Sequence, residues 1–378
     1  MKWIECKLGD ILNFRRGYDL PHSEMSGGDI PVAGSNGVIG YHNTATDISP
    51  VITIGRSGNV GTPYIYDRAW AHNTTLYIDD FKGNDPLYLF YLIKTLPLAS
   101  FGGGSAVPTL NRNHIHPLIV KHCPDFEQQK HIARVLKSFD DKIALNNRIN
   151  HNLEEQAKAL YKSWFVDFEP FRGGKFVNSE LGMIPEGWLV KSLGEVTKEM
   201  RDKVGARQDI KVLSPVTSGH LVLSEEFFTK QVFSESIAKY LLVRPGDFAY
   251  NPARVNIGSL GLNEYPFDGC VSPVYVVFRC ENGYNHFFDL YRSTTPFKDE
   301  VLSRSSGGVR QTLGYKDFAL IRVVYPPKKV VESFNSLYEG LRAVQKVNME
   351  ENGVLSAQRD SLLPLLMSGE FIFTDLNC

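Results

Sequence analysis

The side chains best equipped for chemistry in this chain are arginines and amides gathered in polar or glycine-rich segments. In the first part these are Arg15 and Arg16, then Arg56 and Asn59 within Gly55-Arg56-Ser57-Gly58-Asn59-Val60-Gly61, then Asn111 and Arg112 after Gly102-Gly103-Gly104. In the second part they are Arg201, Lys203 and Arg207, then Arg254 and Asn256, then Arg304, Arg310 and Gln311. A guanidinium pairs with a guanine edge and a carboxamide with an adenine edge, each through two hydrogen bonds, while further Arg and Lys hold phosphates. Loops of this composition suit a DNA duplex. The plainer reading of any single residue is an exposed polar group in an exposed loop, and recurrence in equivalent loops of two copies is what favours contact.

Catalytic motifs fail on context. The two glycine-rich segments lack GxxxxGK[ST] and lack GxGxxG between a strand and a helix, so tight turns explain them better. Asn251-Pro252-Ala253-Arg254 begins like the loop with which adenine methyltransferases hold a flipped base, but the second proline and the stacking aromatic are missing. Pro124-Asp125 with Asp140-Asp141-Lys142 has a nuclease-like spacing, yet these residues fall along a helical pattern rather than converging on a strand-based pocket. His114 and His116 can share a strand face, but no third ligand accompanies them. A catalytic residue and a bound metal are therefore not expected.

A chain of 378 residues with 43% hydrophobic and 12% aromatic residues can fill two cores, so two domains with connectors is the default. Net charge near −1 gives no global attraction to nucleic acid, so such binding must come from local basic clusters. Cys6, Cys123, Cys270, Cys280 and Cys378 are odd in number and never spaced CxxC, which reads as reduced thiols in a cytosol. No signal-peptide core and no stretch of about twenty apolar residues is present, so a cytoplasmic protein without membrane association is expected.

The elements that must carry these loops follow from periodicity. Short apolar runs at 51–54, 75–78 and 118–120, separated by Gly, Asn and Pro, predict strands and turns, interrupted by one helix at 86–96. After Pro124 the period changes: Ile132, Phe139, Asn146, Leu153 and Leu160 mark a helical seam of about 33 residues, roughly 50 Å long. Residues 168–187 lack a period and predict a linker. A second seam follows in Phe334, Leu341, Asn348, Leu355 and Leu362, with Val330, Leu337, Val344, Glu351 and Leu365 assigned to its alternate column.

The two seams are copies, each pair lying 202 positions apart. Trp3, Leu8 and Gly9 return as Trp188, Leu193 and Gly194 after 185 positions, and Thr109 and Leu110 as Thr312 and Leu313 after 203. The drift places about eighteen extra residues in the second copy. The fold class expected is α+β: two mixed α/β heads at 1–124 and 188–327, helices at 125–167 and 328–370, and a tail at 371–378, with the helices forming an antiparallel coiled coil. Asn146 and Asn348 would then meet near the middle and fix alignment, or else remain solvated.

The whole chain resembles the specificity subunit of a type I restriction-modification system. The motifs are Trp3…Leu8-Gly9-Asp10 and Glu186-Gly187-Trp188…Leu193-Gly194-Glu195, Pro124-Asp125-Phe126-Glu127-Gln128-Gln129, and Leu362-Leu363-Pro364-Leu365-Leu366-Met367-Ser368-Gly369-Glu370. The resemblance implies that each head is a target recognition domain reading half of a split, asymmetric DNA sequence and that the helices are the spacer. It implies a complex with two modification subunits that bind S-adenosylmethionine and methylate adenine, and with ATP- and magnesium-dependent restriction subunits. The chain itself would bind no cofactor. Recognition loops of this family follow no fixed residue pattern, so the DNA-contact residues named above rest on side-chain chemistry alone. Outer-face residues Glu154, Glu155 and Lys158 are candidates for docking the modification subunits. The competing readings are a protein scaffold that does not bind DNA, and a stand-alone DNA methyltransferase or nuclease.

Overall fold

The computed structural model describes residues 3–25, 27–102, 108–228, 233–234, 236–305 and 312–371. The chain divides into two compact units, Met1–Arg148 with Val347–Cys378, and Ile149–Lys346, so each unit includes part of both long helices.

In the first unit the strand Ile4–Lys7 pairs antiparallel with Ile119–His122, which brings the start and end of the head together. A four-stranded sheet follows in the order Asn13–Arg16, Thr75–Asp80, Val51–Gly55, Pro63–Tyr66. The central strand Val51–Gly55 is buried throughout, the continuous apolar pattern of a strand covered on both faces. A second sheet joins Gly37–His42, Ile30–Gly34 and Trp70–Ala71, the last pair parallel. Helix Pro86–Lys94 starts with proline in its first turn, and its Asp85 cap accepts the amide of Tyr88 at 2.8 Å. Tyr88 to Ile93 are all buried, as befits a helix apolar on every face.

The second unit repeats this order of elements. Leu189–Ser192 pairs with Arg322–Tyr325, and a sheet runs Thr197–Met200, Val276–Cys280, Asp247–Tyr250, Leu260–Leu262. The remaining sheet runs Leu221–Leu223, Lys211–Pro215, Gly269–Val271, Leu241–Val243, with the middle pair parallel. The strand Leu241–Val243 has no counterpart in the first unit and lies in the longer connection between Leu223 and Asp247, where the drift of the repeat calls for extra chain.

Residues 168–187, expected to be a linker, are structured instead. They hold a hairpin of Phe176–Ser179 with Gly182–Pro185, and Ile184 enters the core. The cause is aromatic: Phe168 and Phe171 pack on Trp188 at ring separations of 5.3 and 5.1 Å.

The long helices are Phe126–Phe165 and Lys328–Ser368, of 40 and 41 residues and each about 60 Å long. The first is anchored at its start by Gln129, whose buried amide accepts from the Asp85 backbone and donates to Asn84 and the Cys123 carbonyl, all at 2.8 Å. Asp125 caps the helix by accepting the Gln128 amide at 3.0 Å. In the first unit Ile132 and Leu136 share a core with Leu366 and Met367, Asp140 meets Arg359, and Asn146 meets Asn352. In the second unit Asn150 meets Gln345, and Tyr161 and Phe165 pack on Phe334. Partner numbers fall on one helix as they rise on the other, the pattern of antiparallel packing.

Two expectations for these helices are corrected. The Asn146 amide donates to Glu351 at 2.7 Å and Asn352 at 2.9 Å, not to Asn348, and its oxygen is buried without a partner. The alternate column of the second seam is only partly as expected: Val330 packs on the second core and Glu351 accepts from Asn146, but elsewhere the buried position lies one residue later. Leu337, Val344 and Leu365 are exposed, whereas Tyr338 and Leu366 are buried and Gln345, Asn352 and Arg359 are half-buried. Apolar residues drew the expectation to the wrong column because the true one is polar in the middle.

Candidate nucleic-acid interface

The first unit gathers several of the basic residues selected from the sequence. Arg15 and Arg16 end the edge strand Asn13–Arg16 and are exposed. That strand is clamped from the short helix Arg112–Ile115 and the residue after it. Arg112 donates to the Phe14 carbonyl at 3.1 Å, and His116 Nε2 accepts the Phe14 amide at 3.0 Å. His114 and His116 therefore do not share a strand face. Burial of His116 lowers its pKa, which favours the neutral ring that can accept. Asn111 turns its oxygen inward to cap this helix, accepting the Asn113 amide at 2.9 Å.

Arg16 donates to Asp19 at 2.8 Å, and Asn73 donates to the same carboxylate oxygen. Arg56 in turn donates to the Asn73 carbonyl at 3.3 Å. Three loops distant in sequence are thus joined through Asp19 and Asn73, neither of which was selected from the sequence. The hydrogen bond from Asn73 and the charge of Arg16 hold the Asp19 carboxyl below its ordinary pKa. Arg15 lies 5.8 Å from the ring centre of Tyr18, which packs at a tilt against Trp70 and shares a 2.9 Å hydroxyl contact with Tyr77. Tyr18 is exposed, Trp70 half-buried and Tyr77 buried, and nothing in residue type or spacing marks the exposed one.

The loop holding Arg56 and Asn59 is rigid by construction. The Arg56 amide donates to Thr74 O, the Arg56 carbonyl accepts from Leu110 at 2.8 Å, and Gly61 donates back to Gly55 O at 2.8 Å. A Cβ on Gly55 would stand 1.7 Å from the Asn59 carbonyl oxygen, so only glycine fits. Asn59 is exposed and accepts from Thr62.

In the second unit Leu313, the repeat partner of Leu110, donates to the Pro252 carbonyl at 3.1 Å. The loop bearing Arg254 and Asn256 is therefore held by the same leucine position as the loop bearing Arg56. Other selected residues are less available. Arg201 pairs with Glu199 at 2.9 Å, Arg207 with Asp268 at 2.8 Å and Arg304 with Glu300 at 2.7 Å. Lys203 is exposed beside Leu241, and Arg310 and Gln311 lie outside the described residues.

The carboxylates of the nuclease-like spacing are engaged structurally. Asp125 is the helix cap already described. Asp140 accepts from Tyr91 at 2.7 Å and Arg359 at 2.5 Å. Among the described residues no group of three His, Cys, Asp or Glu is arranged to hold a metal, and no helix is long and apolar enough to cross a membrane.

Fixed loops offering basic and amide side chains on two α+β units make an arrangement suited to nucleic acid. Residues 1–155 match the type I restriction modification DNA specificity domain. The chain is 28% identical over 305 residues to the type I restriction enzyme MjaIX specificity subunit of Methanocaldococcus jannaschii, covering 76% of this chain and 70% of that one. A segment of 49 residues, 13% of this chain and 11% of its relative, is 55% identical to the type I restriction enzyme HindI specificity subunit of Haemophilus influenzae. The fold is that of the type I restriction-modification S subunit from M. genitalium, with a TM-score of 0.60 and 13% identity over 97% of this chain and 96% of that one. The chain is thus similar in sequence to type I restriction-modification specificity subunits, and similar in fold to one of them.

Proposed function

We propose that this chain is the non-catalytic DNA-reading subunit of a cytoplasmic type I restriction-modification complex, each head reading one half of a bipartite, asymmetric target. The observation that carries the reading is the pair of loops around Arg56 and Arg254, fastened by the repeated leucines Leu110 and Leu313 but different in sequence. A common frame with different displayed residues suits two different half-sites. Arg15, Arg16, Arg56, Asn59, Arg112, Lys203, Arg254 and Asn256 are the candidate DNA contacts. Asn111, Arg201, Arg207 and Arg304 are candidates too, although each already has a partner within the chain, as Arg16, Arg56 and Arg112 do.

The long helices act as a coiled-coil spacer, and their outer faces dock two modification subunits. On that face Lys158 bridges Glu154 and Glu155 at 3.1 and 2.9 Å. S-adenosylmethionine would be bound by the modification subunits, and ATP and magnesium by restriction subunits.

The test is single-molecule sequencing of adenine methylation in cells holding this chain and its cognate modification subunit, against cells lacking the chain. A split, asymmetric motif that disappears with the chain is expected. Its absence beside an active, bound modification subunit would favour a protein scaffold. Removing one heptad from both helices should shorten the unread gap by about 10 Å, or roughly three base pairs. An unchanged gap would refute the spacer role.

A further inference from the structure

The second unit neutralises its own arginines. Apart from Arg254, each described arginine between residues 149 and 346 has a carboxylate within 3.5 Å. Arg254 is exposed, and among the described residues its side chain has no acidic partner. A general electrostatic grip on DNA would call for many free cations. Unpaired lysines such as Lys203 can supply that grip, but Arg254 is the one described guanidinium of this unit left without a carboxylate, and the planar fork of a guanidinium is what matches two acceptors on one edge.

The backbone beneath Arg254 is fixed. Its amide donates to Asn251 O at 2.9 Å, and its carbonyl accepts from Ile257 at 3.2 Å and Ser259 at 3.1 Å. Val255 is buried and pins the turn to the core, while Ser259 Oγ donates to Pro215 O at 2.6 Å. Gly258 closes the turn at φ +95°, and a Cβ there would lie 2.7 Å from Thr217 O. The turn therefore presents Arg254 and the 56%-exposed Ile257 together. A guanidinium beside an exposed apolar group matches a base edge in the major groove, where guanine offers two acceptors and thymine a methyl. A phosphate would leave Ile257 without a partner.

We infer that Arg254 is the specificity-determining residue of the second head, donating two hydrogen bonds to O6 and N7 of one guanine in its half-site. This rests on the DNA-reading function proposed above and names the residue that executes it.

The test compares the methylated motif written by the intact complex carrying wild-type chain, Arg254→Ala or Arg254→Gln. Both variants should keep the first half-site, the gap and the melting temperature, and lose the demand for guanine at one second-half position by roughly tenfold to a hundredfold. Arg254→Gln should in addition shift that position towards adenine. Three outcomes overturn the inference alone: a split wild-type motif that neither variant alters, a uniform fall in methylation at all sites, as a phosphate contact would give, or a lowered melting temperature, which would make Arg254 structural. Absence of any split motif with wild-type chain would instead overturn the DNA-reading function, and the inference with it.

Discussion

Asp140 of the first long helix accepts a hydrogen bond from Arg359 of the second at 2.5 Å, and another from the Tyr91 hydroxyl of the adjoining head at 2.7 Å. One carboxylate thereby ties both helices to the first core. Burial alone would raise its pKa, but the bonds from Tyr91 and Arg359 and the charge of Lys94 outweigh it and leave the pKa lowered. A depressed folded value means stability that is present above the unfolded value, about 3.9, and is lost as pH falls through the folded one. Asp140→Asn should therefore cost roughly 1.5–3 kcal/mol at pH 7. In denaturation at a series of pH values, the gap between the two proteins should close below about pH 4. A gap that stayed constant into acid would show that the charge is not what matters.

Asn146 is wholly buried, and its oxygen has no partner. Its donors are satisfied by Glu351 and Asn352, which keep other partners in Lys142 and Asn147. A polar seam residue fixes alignment at a cost in stability. Asn146→Leu should accordingly raise the unfolding free energy by about 1 kcal/mol, read from the urea midpoint. A fall of similar size would mean that the amide network stabilises the helix pair outright.

Asp19 pairs with Arg16 and accepts a hydrogen bond from Asn73, so part of the Arg16 charge is neutralised. Asp19→Ala should release Arg16 for a phosphate. The slope of log affinity against log salt for non-specific duplex should then steepen by about 0.9, with tighter binding at low salt. An unchanged slope would place Arg16 off the DNA.

Gly55 cannot accept a side chain without moving Asn59. Gly55→Ala should destabilise the first unit by roughly 1–3 kcal/mol and weaken recognition of one half-site. Gly173→Ala, where a Cβ meets open space, is the control expected to leave both unchanged. Equal methylation by both variants would dissociate this loop from reading.

The helices were legible because a seven-residue spacing kept through five successive positions in each copy has no competing explanation, and Ile132, Asn146 and Phe334 are buried in the structure. The seam's alternate column was only partly legible. Gln345 and Arg359 line the interior because Asn150 and Asp140 face them, a relation of side chains about 200 residues apart. The strands of the heads were readable in outline, but the hairpin at 176–185 was not, since its order comes from Phe168 and Phe171 folding onto Trp188.

The sequence by itself determined the duplication, the two helices and the stock of arginines and amides, because these depend on residue type and local spacing. Which of those arginines is free was decided only by tertiary structure. Arg207 and Arg254 are alike as letters, yet folding brings Asp268 to within 2.8 Å of the first and no carboxylate to the second among the described residues. Pairing between distant charges is a property of the assembled surface, which residue type and local spacing do not contain.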